Sequence, residues 1–241
     1  MLFKHLLFLS YIINIFCYMN INIGATGLYL PYTLGALGYI KKYGNINNYH
    51  LTGISGGSFA SVMYYLEDDL SDHDKIWKIL IGNDNNYNII FGKNIDKFLN
   101  LIKNNLLHKY KYIPTNTIKK APISVIISKI NNKIITNEKI SDFDNLEDLL
   151  NYCICSSYIP YISGNTLVKK YKDINYIDGC IFTNYANFEY NDNSLYIHRT
   201  MWKRNFNLFN YFYLNKKISK KLFDYGWNDT KNNLLYNTKL T

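Results

Sequence analysis

The stretch HLTGISGGSFASVMYYL, residues 50–66, sets a serine among glycines, directly after a short apolar run and directly before a helix-like one. Gly53-Ile54-Ser55-Gly56-Gly57 fits the G-x-S-x-G pattern, which is cheap by itself and equally matches an ordinary glycine turn. Its context raises its value. A strand feeding a sharp turn that opens a helix leaves a serine hydroxyl standing clear, with the next backbone N–H, that of Gly56, aimed at a developing oxyanion. Gly53 and Gly57 lack the side chains that would keep neighbouring backbone away, and the positive end of the helix adds to anion stabilisation.

Upstream, YMNINI (18–23) predicts a strand running into the glycine loop GATG (24–27). Leu30, Leu34, Leu37 and Ile40 then recur at three- and four-residue spacing, which predicts a helix from Leu28 to Tyr43 with Gly44 as its C-cap. YHLTG (49–53) is a second strand, and the run Ser58 to Leu66 a helix. Strand, loop, helix, strand, turn, helix is an α/β unit with a parallel sheet and a right-handed crossover. Downstream, helices are predicted over 72–81, 95–107 and 145–155, with the Asn-rich 83–88 as a loop. Residues 121–139 hold two β runs around Asn131-Asn132-Lys133, and NYIDG (175–179) and SLYIHR (194–199) are short strands. Residues 204–225 form a basic, aromatic-rich amphipathic stretch. No repeat and no flexible linker divides the chain, so one domain over 18–241 is expected.

The 241 residues are 48% hydrophobic and 17% aromatic, enough to fill a core, and they exclude a disordered chain. Net charge is +9, which favours anionic surfaces. The basic residues are scattered in pairs such as Lys41-Lys42 and Lys216-Lys217, without zinc-finger spacing or an aromatic RNA-binding signature, so nucleic acid is not an expected partner. Cys153 and Cys155 have apolar neighbours and no second ligand pair, which reads as buried thiols, and no His, Asp, Glu or Cys cluster has metal-ligand spacing. No metal or other cofactor is expected, and calcium independence follows. Residues 1–17 are apolar after Lys4 and His5 but shorter than the ~20 residues of a membrane span. Signal, anchor and extra packed element remain open for them, and with them the compartment.

A serine nucleophile needs a proton acceptor. The histidines stand at 5, 50, 73, 108 and 198. His198 fits a Ser, Asp, His order with Asp178, although a serine after the second strand leaves no room for the strands that precede the nucleophile of an α/β-hydrolase.

Three blocks, NIGATGLYLPYTLGALGYIKKYG, LTGISGGSFAS and CICSSYIPYISGN…YIDGCIFTN, occur in the order found in patatin-like phospholipases, which the chain resembles over residues 18–184. The resemblance implies a three-layer α/β/α domain with a mostly parallel central sheet. It implies a serine lipid acyl hydrolase acting on glycerophospholipids or acylglycerols at a membrane or droplet surface. Ser55 becomes the nucleophile and Asp178 the base of a dyad without histidine, with Gly179 fixing the turn that holds the carboxylate. The oxyanion loop becomes Gly24, Ala25, Thr26 and Gly27, joined by Gly56. Against the family's G-x-G-x-x-G, the run Ala25 to Leu30 replaces the first and third glycines and lacks the basic residue, which bears on turnover more than on reaction type. Two alternatives stay open: a weakly active or inactive lipid-binding protein of this fold, and a Ser-Asp-His esterase using His198. Gly226-Trp227-Asn228-Asp229 resembles the family's closing helix.

Overall fold

A computed structural model describes residues 18–131, 134–181, 193–198, 200–202, 204, 206 and 212–237; the apolar segment 1–17, the turn residues 132–133, the end of the third block at 182–184 and the central part of 204–225 lie outside the described residues. The chain is mixed α/β, with a mostly parallel central sheet flanked by helices, compatible with a three-layer α/β/α arrangement. Four strands, β1 (Met19–Ile23), β2 (Tyr49–Ile54), β4 (Ile123–Asn131) and β8 (Ser194–Ile197), lie side by side and parallel in the order β8-β1-β2-β4. The hairpin partner β5 (Ile134–Ile140), with β7 (Ile174–Ile177) and β6 (Lys169–Tyr171), completes seven strands in antiparallel pairings.

The register on β4 decides where the chemistry sits. β5 pairs with Val125–Asn131 and so occupies one edge of β4 throughout. β2 pairs with Ile123–Ile126 and β7 with Ser128–Ile130, and each overlaps β5, so both must use the other edge. β2 runs parallel to β4 and β7 antiparallel, so they approach each other head to head. Their carboxyl ends, Ile54 opposite Ile126 and Ile177 opposite Ser128, meet across Ile127. Ser55 follows one end and Asp178 the other.

The helices are α1 (Leu30–Tyr43), α2 (Gly56–Leu66), α3 (His73–Ile81), α4 (Ile95–Lys109), α5 (Thr115–Lys119), α6 (Leu146–Ser156) and α7 (Lys216–Asn237). The Asp72 carboxylate accepts from Asp74 N–H and Lys75 N–H to cap α3, and the Asn145 side chain caps α6 from Asp148 N–H. Ile21, Ile23, Leu51, Ile123, Val125 and Ile127 share the main core with Leu34, Leu37, Phe59, Val62 and Leu149. The alternate strand positions Asn22, Thr52, Ser124 and Ser128 are also buried. No described helix is long and apolar enough to cross a membrane.

Two local expectations change, and the C-cap at Gly44 holds. The helix after the glycine loop begins with a 3-10 turn, Gly27–Tyr29, and becomes α-helical only at Leu30. Gly44 is the C-cap, its N–H donating to Ile40 O, but with φ −79° it stays right-handed instead of using glycine's left-handed region. The amphipathic stretch 204–225 is not one element. Tyr213–Leu214 forms β9, paired with β3 (Ile89–Ile90) in a two-stranded ribbon, and α7 starts only at Lys216. The Gly-Trp-Asn-Asp segment locks α7 on α1. Gly226 has no room for a Cβ beside Tyr32 O, and the Asp229 carboxylate accepts from Tyr32 OH at 3.0 Å and Arg204 Nε at 2.6 Å.

Candidate active site

Ser55 sits between β2 and α2 with φ 55° and ψ −136°, a left-handed conformation that costs a non-glycine residue of order 1–3 kcal/mol. Close backbone packing holds it there. A Cβ on Gly53 would lie 2.5 Å from Ser58 Cα, and one on Gly57 2.4 Å from Gly24 O, so only glycine lets α2 start this near to the ends of β1 and β2. Ser58 N–H and Ser58 Oγ both donate to Ser55 O, at 2.9 and 2.6 Å, which satisfies the elbow's carbonyl.

The Ser55 hydroxyl donates to Asp178 Oδ2 at 2.6 Å, joining residues 123 positions apart. Asp178 Oδ1 accepts from Cys180 N–H at 2.8 Å, so the turn through Gly179 aims one carboxylate oxygen at the serine and holds the other. Asp178 is fully buried, and that desolvation lifts its carboxyl above the usual carboxylate range against the opposing pull of the hydrogen bonds from Cys180 and Ser55. A carboxylate ordinarily near ~3.9 is a poor base for a hydroxyl, and burial moves it in the required direction.

Ser156, within the CICSSYIP block, emerges as a site residue whose role the sequence did not assign. Its hydroxyl donates to Ile126 O at 2.6 Å and accepts from Ser55 N–H at 2.8 Å, while its carbonyl accepts from Gly179 N–H at 3.0 Å. Tyr158 O accepts from Asp178 N–H at 2.7 Å. One short segment at the end of α6 therefore bolts Ser55, Asp178 and the facing strand together. Ser156→Ala strands the buried Ser55 N–H, a loss worth about 1–3 kcal/mol. On the reading of Ser55 as a nucleophile, the change displaces its hydroxyl and not the pocket walls, so kcat for a soluble ester falls about tenfold or more while KM stays within about twofold.

The glycine loop needs one correction. Gly24 N–H donates to Ile197 O at 2.9 Å, continuing the β1–β8 ladder, and so is not available as an oxyanion donor. Ala25, Thr26 and Gly27 leave the sheet, and their N–H groups make no hydrogen bond among the described residues. Gly27 has φ 51°, a requirement for glycine that the sequence pattern met. Gly56 opens α2, where an N–H has no acceptor within the helix. A Cβ on Gly56 would fall 2.2 Å from Thr26 Oγ1 and 3.5 Å from Gly27 N, so loop and helix start converge.

Ser55 borders two spaces. An open cleft with about 910 Å³ of empty space is shared by Ala25–Tyr29, Asp178, Cys180, Phe91 and Phe212. A narrow apolar cavity, about 40 Å³, runs between Leu28, Leu30, Phe59, Ile95, Phe98 and Leu99. Ser157 also lines it, and its buried hydroxyl has no hydrogen-bond partner among the described residues.

His198 is not between serine and carboxylate. Its Nδ1 bonds Thr200 Oγ1 at 2.8 Å and its ring lies over Tyr196, while Ser55 contacts Asp178 directly. Cys153 and Cys155 are buried, and burial pushes both thiols up to about 12, which leaves them protonated and inert. Among the described residues no group of three or more His, Cys, Asp or Glu is placed to hold a metal ion.

Comparison with protein-family models gives no match, and comparison with curated proteins gives none either.

Proposed function

We propose that the chain is a patatin-like serine lipid acyl hydrolase, cleaving carboxyl esters of glycerophospholipids or acylglycerols through a Ser55–Asp178 dyad. The observation that carries this reading is the 2.6 Å hydrogen bond from the Ser55 hydroxyl to the buried Asp178 carboxylate, at the mouth of an apolar cavity. Ser55 Oγ attacks the ester carbonyl carbon as its proton passes to Asp178. The carbonyl oxygen becomes an oxyanion facing the N–H groups of Ala25, Thr26, Gly27 and Gly56. Collapse of the tetrahedral intermediate expels the alcohol, which takes the proton from Asp178, and leaves an acyl-serine. A water then gives its proton to Asp178 and attacks the acyl carbon, and Ser55 recovers a proton as the fatty acid departs. The open cleft has the room for the bulk of a lipid, and the narrow apolar cavity beside it suits only the few carbons of the acyl chain nearest the ester.

Fatty-acid release from mixed-chain phosphatidylcholine and from triacylglycerol tests the proposal. The wild type and His198→Ala release fatty acid at similar rates, and Ser55→Ala releases none above the uncatalysed background. Loss of activity in His198→Ala would favour a histidine-dependent esterase instead. No release by the wild type from either lipid would refute the reading.

A further inference from the structure

We infer that the rim of the Ser55 cleft is a docking face for an anionic phospholipid bilayer. The inference rests on the lipid-hydrolase reading for its purpose, but its observations are separate.

Among the described residues ten large apolar side chains are exposed; one of them, Phe212, lines this opening, and Ile90, Tyr161 and Ile181 lie within two residues of its other lining positions. Phe212 itself lines the cleft, Ile90 precedes the lining residue Phe91, and Ile181 follows the lining residue Cys180. Tyr161 lies two residues past the lining Ile159. Leu167 is held nearby because Tyr158 OH donates to Thr166 O at 2.9 Å and Tyr161 N–H donates to the same carbonyl at 3.3 Å. Phe91 and Phe212 are tied across the ribbon, Phe91 N–H donating to Phe212 O at 2.9 Å. A concentration of exposed apolar side chains around one opening is what a soluble surface avoids and an interfacial one requires.

Charge selects the occupant. The segments 89–93, 159–168, 180–181 and 212–215 beside the cleft contain no Asp or Glu and carry Lys93, while Lys216 and Lys217 follow at the start of α7, where they line a neighbouring opening with Asp74. Lys216 is engaged with Asp74 at 2.8 Å, while Lys93 and Lys217 are exposed. Apolar side chains entering the acyl boundary with lysines at phosphate level match a negatively charged leaflet, where each lysine near the surface contributes about fivefold in affinity. A neutral droplet surface would use the apolar rim alone.

The test is co-sedimentation of the full chain with vesicles of phosphatidylcholine, and of equimolar phosphatidylcholine and phosphatidylserine. The wild type favours the anionic vesicles, and the preference falls with added salt. Lys93→Gln/Lys217→Gln weakens anionic binding about 25-fold, and Leu167→Asp weakens binding to both vesicles. Lys111→Gln/Lys120→Gln removes the same charge from elsewhere. Lys111 lies beyond the far end of α4, roughly 22 Å from its start at the cavity, and Lys120 precedes the end of β4 that is paired with Leu51. This pair leaves binding unchanged. Equal losses in the two lysine pairs, or no preference of the wild type for anionic vesicles, would overturn the docking face. Hydrolysis of a water-soluble short-chain ester, measured alongside, is the same in both lysine pairs as in the wild type. Loss of that hydrolysis in the wild type with vesicle binding as expected would instead refute the catalytic reading and leave the docking face standing.

Discussion

Asp178→Asn lowers kcat for a soluble ester by about 10³-fold, within the range for loss of a positioned general base, and leaves the protein folded. Asparagine keeps the shape. Its amide oxygen still accepts from Cys180 N–H and its NH₂ still meets Ser55 Oγ, but it takes no proton. The pH behaviour separates loss of base from loss of structure. In the wild type the acylation rate rises with pH as Asp178 ionises, with a midpoint above the usual carboxylate value because burial disfavours the charged form. The sign for stability is opposite. A carboxyl whose folded pKa is raised contributes most below the unfolded value, ~3.9, and that contribution is lost as pH rises through the folded value. Above the folded pKa the wild type therefore carries an ionised, buried carboxylate that Asp178→Asn lacks. The variant melts at or above the wild-type temperature once pH exceeds the folded pKa, and the difference closes in acid below the unfolded pKa. Thermal melts across pH check this, and a variant that melts well below the wild type at every pH would contradict it.

Gly226→Ala destabilises the fold although alanine is the better helix former. Helix propensity favours alanine by about 1 kcal/mol. Against this, the added Cβ would lie 1.9 Å from Tyr32 O and 3.0 Å from Ala36 N, backbone atoms that cannot rotate away. Gly35 makes the reciprocal approach, its Cβ position 2.1 Å from Phe223 O, so α1 and α7 touch backbone to backbone and must separate. Overpacking of this kind costs about 3 kcal/mol, and a net loss of about 2 kcal/mol or more lowers Tm by about 4–8 °C for a chain of this size. An unchanged Tm would show that the two helices lie farther apart than described.

The α/β unit from β1 to α2 was legible because two regular signals coincide there: apolar spacing in Leu30, Leu34, Leu37 and Ile40, and glycines wherever the chain turns. Ser55 and Asp178 were legible only as local motifs. Nothing in YIDG says that β7 shares an edge of β4 with β2, and that register alone brings the two side chains together. Ser156 was hidden for the same reason, since its partners Ile126 and Ser55 are distant in sequence. Gly24 misled because its loop neighbours have N–H groups clear of the sheet, whereas an extra rung of the β1–β8 ladder takes its own. The β3–β9 ribbon has two residues per strand, too few to show a period, so the aromatic run before α7 read as one amphipathic stretch.

Everything catalytic in this account requires that Ser55 be more nucleophilic than an ordinary serine and that Asp178 make it so. Reaction with a fluorophosphonate, followed by peptide mass spectrometry, measures that directly. The account predicts a phosphonyl adduct on the peptide containing Ser55, formed much more slowly in Asp178→Asn and at the wild-type rate in His198→Ala. An intact protein that forms no adduct, or an adduct on a different serine, would contradict it.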